Sequence, residues 1–103
     1  MSYSAGLNIL EPQVINRERI QDLINSFSSI GASENGSVSR RGFSDEDIYA
    51  RNFFIKTLKD LGLKIRIDTA GNIIARLDGH DNNLPPIVTG SHLDTVPKGG
   101  KYD

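Results

Sequence analysis

The feature that most constrains the fold of this chain is a helical pattern in its middle. Apolar side chains recur there at helical spacing along one stripe: Ala50, Phe54, Leu58 and Leu61. A stripe of this kind lets one face of an amphipathic helix be buried. Ser44 and Asp47 are spaced as in a capping box, and Gly62 suits the position after the last helical residue. The pattern therefore predicts a helix over residues 43–61.

Shorter patterns on either side predict an α/β order. Apolar residues at helical spacing indicate an earlier helix over residues 14–30, with Asn16 as its N-cap. Residues 63–68 and 72–77 are expected to form the two strands of a hairpin. Residues 87–91 are short and apolar enough to form a third strand, central in a sheet. This order of elements predicts an α/β fold with helices on the faces of a sheet.

The length and composition of the chain narrow its class. With 103 residues it is expected to form one domain at most, with residues 1–13 as a flexible arm. Its formal net charge of −1 offers no basic surface for nucleic acid, and the absence of cysteine excludes disulfides and thiolate metal ligands. Residues 1–10 lack a secretory pattern, and no apolar run is long enough for a membrane span. We therefore expect a cytoplasmic protein with no nucleic acid or membrane partner.

The loop between the two predicted helices ends in a pair of arginines. Arg40 and Arg41 could together approach an anion. Exposed charges are common in loops, so solvated side chains are the simpler interpretation of both residues. The loop is therefore predicted to expose two cations rather than to form a site.

The last predicted strand leads into side chains that could bind a metal ion. His92 follows the strand directly, Asp94 lies two residues further on, and Asp103 comes after a Gly-Gly pair that lets the backbone turn back. Ligands gather outside the carboxyl ends of strands in α/β sheets, and residues two apart in an extended segment point the same way. From this spacing alone, a structural histidine is a commoner interpretation than a metal ligand. The other histidine, His80, is expected to be exposed in a polar loop.

Taken as a whole, the end of the chain resembles a family motif. It reads Gly-Ser-His-Leu-Asp-Thr-Val and then Gly-Gly-Lys-Tyr-Asp, which resembles the metal-site motif of the hydantoinase/carbamoylase family of amidohydrolases. This family includes N-carbamoyl-L-amino-acid hydrolases, allantoate amidohydrolases and β-ureidopropionases. Residues 41–44 and 68–72 also resemble family segments in the family's order, so the resemblance covers most of residues 15–103. It implies the start of a zinc-exopeptidase-like catalytic domain, in which helices pack on a mixed sheet.

The resemblance also implies roles for the three candidate residues. His92 would bind one metal ion, Asp103 would bridge two, and Asp94 would be the acid beside the site that assists catalysis. The cofactors would be two divalent ions, zinc or manganese first, with cobalt or nickel in some members. Paired ions would activate a water molecule and polarise a carbonyl, and a glutamate would act as general base. The implied reaction is hydrolysis of a linear ureido or amide C–N bond in a small-molecule substrate, such as an N-carbamoyl amino acid or an allantoate-like compound.

In the family, the general base, the remaining metal ligands and the dimerisation domain lie C-terminal to the segment that this chain resembles. We therefore expect residues 1–103 to be the N-terminal part of a homodimeric enzyme and to be inactive alone. Part of a domain exposes sheet edges and helix faces that the rest would cover. The isolated chain is accordingly expected to self-associate.

Two other functions stay open at this level. One is that of an aminoacylase or dipeptidase of the related zinc exopeptidase group, which would act on an ordinary amide. The start of the second helix, Arg41-Gly-Phe-Ser, favours the carbamoylase side. The other is a non-catalytic small binding domain, which the near-neutral charge and ordinary helices permit. The identity of the metal is equally open, because histidine and carboxylate ligands suit several ions.

Overall fold

The structure is a computed structural model that describes residues 14–103, so the arm predicted for residues 1–13 lies outside the described residues. Its elements follow in the order α1 (Arg17–Ser28), α2 (Asp45–Asp60), β1 (Lys64–Ile67) and β2 (Ile73–Arg76). Two helices followed by a hairpin confirm the predicted α/β class. None of the helices among residues 14–103 has both the length and the apolar character needed to cross a membrane.

The described chain divides into two compact units. The first contains Ile55–Gly90 and includes the hairpin. The second combines Ile15–Phe54 with Ser91–Asp103. The end of the chain, with all three candidate site residues, therefore packs among residues of the first half of the chain.

The first helix begins where its cap predicts and ends before Gly31. The side chain of Asn16 accepts a hydrogen bond from the backbone N–H of Arg19 at 2.9 Å, which confirms Asn16 as the N-cap and leaves residues 14 and 15 outside the helix. At the other end the last turn tightens, because the N–H of Ile30 donates to the carbonyl oxygen of Phe27, three residues back, at 3.1 Å. Gly31 then takes a left-handed φ of 88°. The predicted bounds of 14–30 are therefore slightly too wide at both ends.

The start of α2 differs in one bond from a capping box. The N–H of Asp47 donates to Ser44 Oγ at 3.2 Å, as predicted. The carboxylate of Asp47, however, accepts from the N–H of Phe43 at 2.8 Å, because the N–H of Ser44 donates to the carbonyl oxygen of Arg41 at 3.0 Å. Asp47 is buried in the first turn of the helix, where the helix dipole favours an anion. At the far end, Gly62 follows with a φ of 79°.

The core of the second unit is small and lies where the apolar faces of the two helices meet. Val38 and Ala50 are buried, with 2% and 0% of their surface exposed. The ring of Phe27 on α1 meets the ring of Phe53 edge to face, with 5.0 Å between ring centroids. It also meets Phe54 at 6.2 Å. These aromatic contacts join the two helices, whereas Leu61, the last residue of the stripe predicted for the second helix, is 55% exposed.

The predicted hairpin forms, with β1 and β2 antiparallel and Ile67 opposite Ile73. Asp68 builds its turn, because Oδ1 accepts from the backbone N–H of Ala70 at 3.0 Å and of Asn72 at 2.8 Å. The other carboxylate oxygen accepts from the side-chain amide of Asn72 at 2.9 Å. This side-chain bond first, and then the backbone bonds, lower the pKa of Asp68. The turn therefore favours the ionised form of Asp68.

The third predicted strand is wrong. Residues 87–91 form no strand, Ile87 is fully exposed, and 81% of the surface of Val88 is exposed. A central strand requires backbone hydrogen bonds to neighbours on both sides. In the described part of the chain, β1 and β2 pair with each other in a two-stranded sheet and offer residues 87–91 no ladder. The apolar character of residues 87–91 predicts that they are buried, but nothing in residues 14–103 covers Ile87 and Val88.

Replacing Gly31 by alanine should destabilise the fold strongly. A Cβ atom at residue 31 would lie 2.4 Å from the backbone oxygen of Ser39, and the φ of 88° is itself unfavourable for alanine. We expect Gly31→Ala to lower the free energy of unfolding by about 3 kcal/mol, from strain and overpacking together. Gly36 is the matched control, because it has a φ of 84° but no atom within 4 Å of an added Cβ. Gly36→Ala should cost only about 1 kcal/mol. Urea unfolding of both variants measures the difference, and equal losses would contradict the steric explanation.

Candidate functional site

The three candidate residues lie on a segment that is anchored to the loop between the two helices. Val38 and Gly99 exchange two backbone hydrogen bonds, each of 2.8 Å. Thr95 is buried, its N–H donates to the carbonyl oxygen of Arg40 at 2.7 Å, and its hydroxyl oxygen accepts from the N–H of Arg40 at 2.9 Å. We call residues 91–96 the His92 loop. Its backbone is fixed by residues that precede it by more than fifty positions.

Gly99 has a different role from the predicted one. The positive φ needed for the chain to return is taken by Lys98, with a φ of 54°, and not by the Gly-Gly pair. A Cβ atom at Gly99 would lie 3.2 Å from the carbonyl oxygen of Val96 and 3.5 Å from that of Val38. Glycine at this position therefore permits close packing of two backbones rather than an unusual turn.

Arg40 connects the His92 loop to the end of α1. Only 6% of its surface is exposed. Its Nη1 atom donates to the carbonyl oxygens of Phe27 and Ile30, both at 2.7 Å, and its Nε atom donates to the carbonyl oxygen of Leu93 at 2.8 Å. The last carbonyl groups of a helix lack partners within the helix, so a cation suits this position. The interpretation of Arg40 as a solvated charge is wrong, whereas Arg41 is exposed as predicted.

The charge of Arg40 is balanced by two carboxylates. Burial lowers the pKa of Arg40, while the charges of Asp47 and Asp94 act in the opposite direction. The carboxylate of Asp94 also lies beside the start of α2, since a Cβ atom at Gly42 would be 3.7 Å from Asp94 Oδ2. The backbone before α2 is extended at this point. Val38 and Arg40 are both buried while Ser39 and Arg41 are exposed, which is the alternation of an extended segment.

His92 and Asp94 come together as their spacing predicts. His92 Nδ1 lies 2.7 Å from the carbonyl oxygen of Asp94 and 3.2 Å from its carboxylate Oδ1. The backbone bond to Asp94 raises the pKa of His92 most, and the charges of Asp94 and Asp103 add to the effect. About half of each side chain is exposed, at 55% and 52%. Because Nδ1 is occupied by Asp94, Nε2 is the ring nitrogen that can bind a cation.

Asp103 lies near this pair but is engaged within its own segment. Its Oδ2 atom accepts from the backbone N–H of Val96 at 3.2 Å. An imidazole and a carboxylate are donors that zinc and manganese accept, so the chemistry of these residues suits such an ion. The number of donors is small, because no group of three or more such side chains converges anywhere in residues 14–103. His80 is exposed, as predicted.

The chain is similar to hydrolases that act on related small molecules. No protein-family model matches it. It is 35% identical over 98 residues to a ureidoglycolate hydrolase of Arabidopsis thaliana, covering 95% of this chain and 21% of that protein. It is 40% identical over 91 residues to an N-carbamoyl-L-amino-acid amidohydrolase of Paenarthrobacter aurescens, covering 88% and 22%. It is 39% identical over 87 residues to an allantoate amidohydrolase of Bacillus subtilis, covering 84% and 21%.

Solved structures agree with the sequence comparison. A hydantoinase/carbamoylase family amidase from Burkholderia ambifaria matches with a TM-score of 0.81 and 37% identity, over 84% of this chain and 22% of that one. A structure of AtUAH in complex with glyoxylate matches with a TM-score of 0.82 and 37% identity, over 87% and 21%. The resemblance predicted from the end of the chain is thereby confirmed. The chain spans about a fifth of the length of the curated relatives that it matches.

Removing the charge of Asp94 should lower the pKa of His92. Asp94→Asn keeps the backbone oxygen that bonds Nδ1 and removes the charge and the carboxylate contact, so the pKa should fall toward the ordinary value of 6.5. The attraction between the charged imidazole of His92 and Asp94 stabilises the folded state fully at pH values below 6.5. This stabilisation is lost as the pH rises through the raised pKa of His92, because the imidazole then becomes neutral. NMR titration of the His92 ring protons measures the change. Asp81→Asn, in an exposed loop, is the control, and an equal shift in both variants would contradict the assignment.

Proposed function

Because this chain belongs to the hydantoinase/carbamoylase family of amidases, we propose that it forms part of a metal-dependent amidohydrolase that cleaves a linear ureido or amide C–N bond. The observation that carries the proposal is the similarity to three hydrolases over 84–95% of the chain. Ureidoglycolate, allantoate and N-carbamoyl amino acids all contain a carbamoyl group on an N–H nitrogen. The bond that we propose is cleaved is therefore the C–N bond of the carbamoyl group that these compounds share.

The substrate is proposed as a class. The identities to the three relatives lie between 35% and 40%, so they do not rank one substrate above another. We propose an N-carbamoyl amino acid or an allantoate-like ureido acid, and the similarity to ureidoglycolate hydrolases adds ureidoglycolate to this class. A β-ureido acid belongs to the same chemistry. All of these compounds carry a carboxylate and a terminal carbamoyl group.

The described residues supply part of the site in this proposal. His92 binds a divalent ion through Nε2, since Asp94 occupies Nδ1 and thereby sets both the orientation and the tautomer of the ring. Asp103 uses one carboxylate oxygen for the N–H of Val96 and can offer the other to an ion. Two ions, zinc or manganese first and cobalt or nickel as alternatives, are proposed as cofactors. Such ions lower the pKa of a water molecule and polarise the carbonyl that it attacks.

Asp94 has a catalytic role in the proposal through its charge. Its carboxylate contacts the imidazole of His92 at 3.2 Å, and its negative charge favours the charged form of the Arg40 guanidinium group. An ionised carboxylate there raises the basicity of the imidazole and stabilises its bond to a cation. The exposure of about half of its side chain leaves it accessible to a proton carried by water or substrate.

We place the general base, the remaining metal ligands and the substrate-binding residues outside residues 1–103, since the chain spans about a fifth of its relatives. The 103-residue chain alone is therefore proposed to be inactive. A homodimeric, cytoplasmic enzyme stays a prediction, as does self-association of the isolated chain. Sedimentation of the isolated chain and of the complete protein tests both states of assembly.

The complete protein encoded by the reading frame that contains this chain should release ammonia from at least one ureido substrate. Allantoate, ureidoglycolate, N-carbamoyl-L-amino acids and N-acetyl amino acids are assayed side by side, with zinc or manganese and again after chelation. We expect His92→Ala to lower kcat/KM by at least about 100-fold and to reduce the bound metal, because a direct ligand is lost. His80→Ala is the matched control and should keep both. Turnover of N-acetyl amino acids alone would indicate an aminoacylase, and unchanged activity in His92→Ala would contradict the site.

A further inference from the structure

Arg40 makes contacts that the proposed chemistry does not by itself explain. It is a nearly fully buried cation whose guanidinium bonds reach both the end of α1 and the carbonyl oxygen of Leu93. A buried charge is a weak means of stabilising a fold, because its desolvation costs about as much as its contacts return. In some proteins a buried charge instead selects one geometry among several.

Arg40 forms hydrogen bonds with the residues that precede and follow Asp94 in the sequence. Its Nε atom holds the carbonyl group of Leu93, which precedes Asp94, at 2.8 Å. Its backbone N–H and carbonyl group hold the hydroxyl and N–H of Thr95, which follows Asp94, at 2.9 Å and 2.7 Å. One residue therefore fixes the peptide groups on either side of Asp94. Because the carbonyl oxygen of Asp94 lies 2.7 Å from Nδ1 of His92, the same bonds set the direction of the imidazole.

The other end of this connection lies on the packed helices. Nη1 of Arg40 donates to Phe27 and Ile30 at the end of α1, and Phe27 packs edge to face against Phe53 on α2. The side chain of Arg40 thus attaches the His92 loop to the packed pair of helices. Arg41, one residue further on, is exposed and makes none of these guanidinium bonds.

We propose, on the basis of the function proposed above, that Arg40 is a positioning residue: it holds Asp94, and through Asp94 the ring of His92, in the arrangement in which Nε2 binds a metal ion. Arg40 touches neither substrate nor metal in this role. It keeps the imidazole of His92 oriented before the ion binds. The binding of the ion therefore does not have to order the His92 loop, which would weaken the affinity. A fork of several donors suits this role, because one planar group can address carbonyls in different directions.

The test compares Arg40→Met with Arg41→Met in the complete protein. Both variants remove one positive charge and keep a long side chain, but only the first removes the bonds to Phe27, Ile30 and Leu93. The dissociation constants for zinc and manganese, from competition with a chelator, should rise by about 10- to 100-fold in Arg40→Met and stay unchanged in Arg41→Met. The kcat value should fall in the same variant. Arg40→Lys should recover only part of the affinity, because an ammonium group cannot bond both ends of the connection.

A merely structural role for Arg40 predicts a different result. Metal affinity and kcat are measured at temperatures at which circular dichroism shows the variant to be folded. A folded Arg40→Met protein with wild-type metal affinity and kcat would overturn the proposal. If Arg40→Met does not fold, Arg40→Lys replaces it, since this change keeps the positive charge and removes the fork of donors that bonds Phe27, Ile30 and Leu93. Metal affinity in Arg40→Lys should then fall several-fold, and an unchanged value would overturn the proposal.

Hydrogen exchange separates failure of this proposal from failure of the proposed function. The N–H of Thr95 donates to the carbonyl oxygen of Arg40 and should exchange faster in Arg40→Met than in Arg41→Met. Faster exchange with unchanged metal affinity would overturn the positioning role and leave the proposed function intact. A complete wild-type protein that binds no metal and hydrolyses no ureido substrate would overturn the proposed function, and the role of Arg40 with it.

Discussion

A buried guanidinium group is the interaction on which the arrangement of the second unit depends. Nη1 of Arg40 donates at 2.7 Å to the carbonyl oxygen of Phe27, in the last turn of α1, and to that of Ile30, just after the helix. The same side chain bonds the carbonyl oxygen of Leu93, so the end of a helix and the start of the His92 loop share one donor group. Desolvation of the charge is offset by these bonds and by the carboxylates of Asp47 and Asp94. Without the guanidinium group, the carbonyl oxygens of Ile30 and Leu93 would lose this donor, whereas that of Phe27 would keep the N–H of Ile30.

The candidate site combines buried backbone with exposed side chains. Thr95 and Gly99 are buried and bonded to the loop between the helices, whereas His92 and Asp94 each expose about half of their side chains. Backbone anchoring limits the positions that these side chains can reach, and exposure leaves them open to an ion and to a substrate. Pre-arranged groups of this kind lose little conformational entropy on binding. The described residues provide one imidazole with an oriented ring and nearby carboxylates, which are donors of the kind that the proposed metal centre requires.

Local interactions explain which elements could be predicted. Asn16 caps α1 through the N–H of a residue three positions away, and Asp68 builds the hairpin turn from N–H groups two and four positions away. Spacing of two residues also suffices to bring His92 and Asp94 together. Patterns of this range are visible in a sequence because the partners are neighbours. The family motif at the end of the chain was equally visible, since it consists of consecutive residues.

The sequence by itself therefore determined the two helices, the hairpin, the family and the pairing of His92 with Asp94. Only the tertiary structure decided that Arg40 is buried while Arg41 is exposed, because the partners of the Arg40 side chain lie 10 to 53 residues away and two adjacent arginines read alike. It also decided that residues 87–91 form no strand, since pairing requires a neighbouring strand and not only apolar side chains. Long-range partners depend on the path of the whole backbone. Which residues become such partners can therefore be seen only in the folded chain and not in a single segment of the sequence.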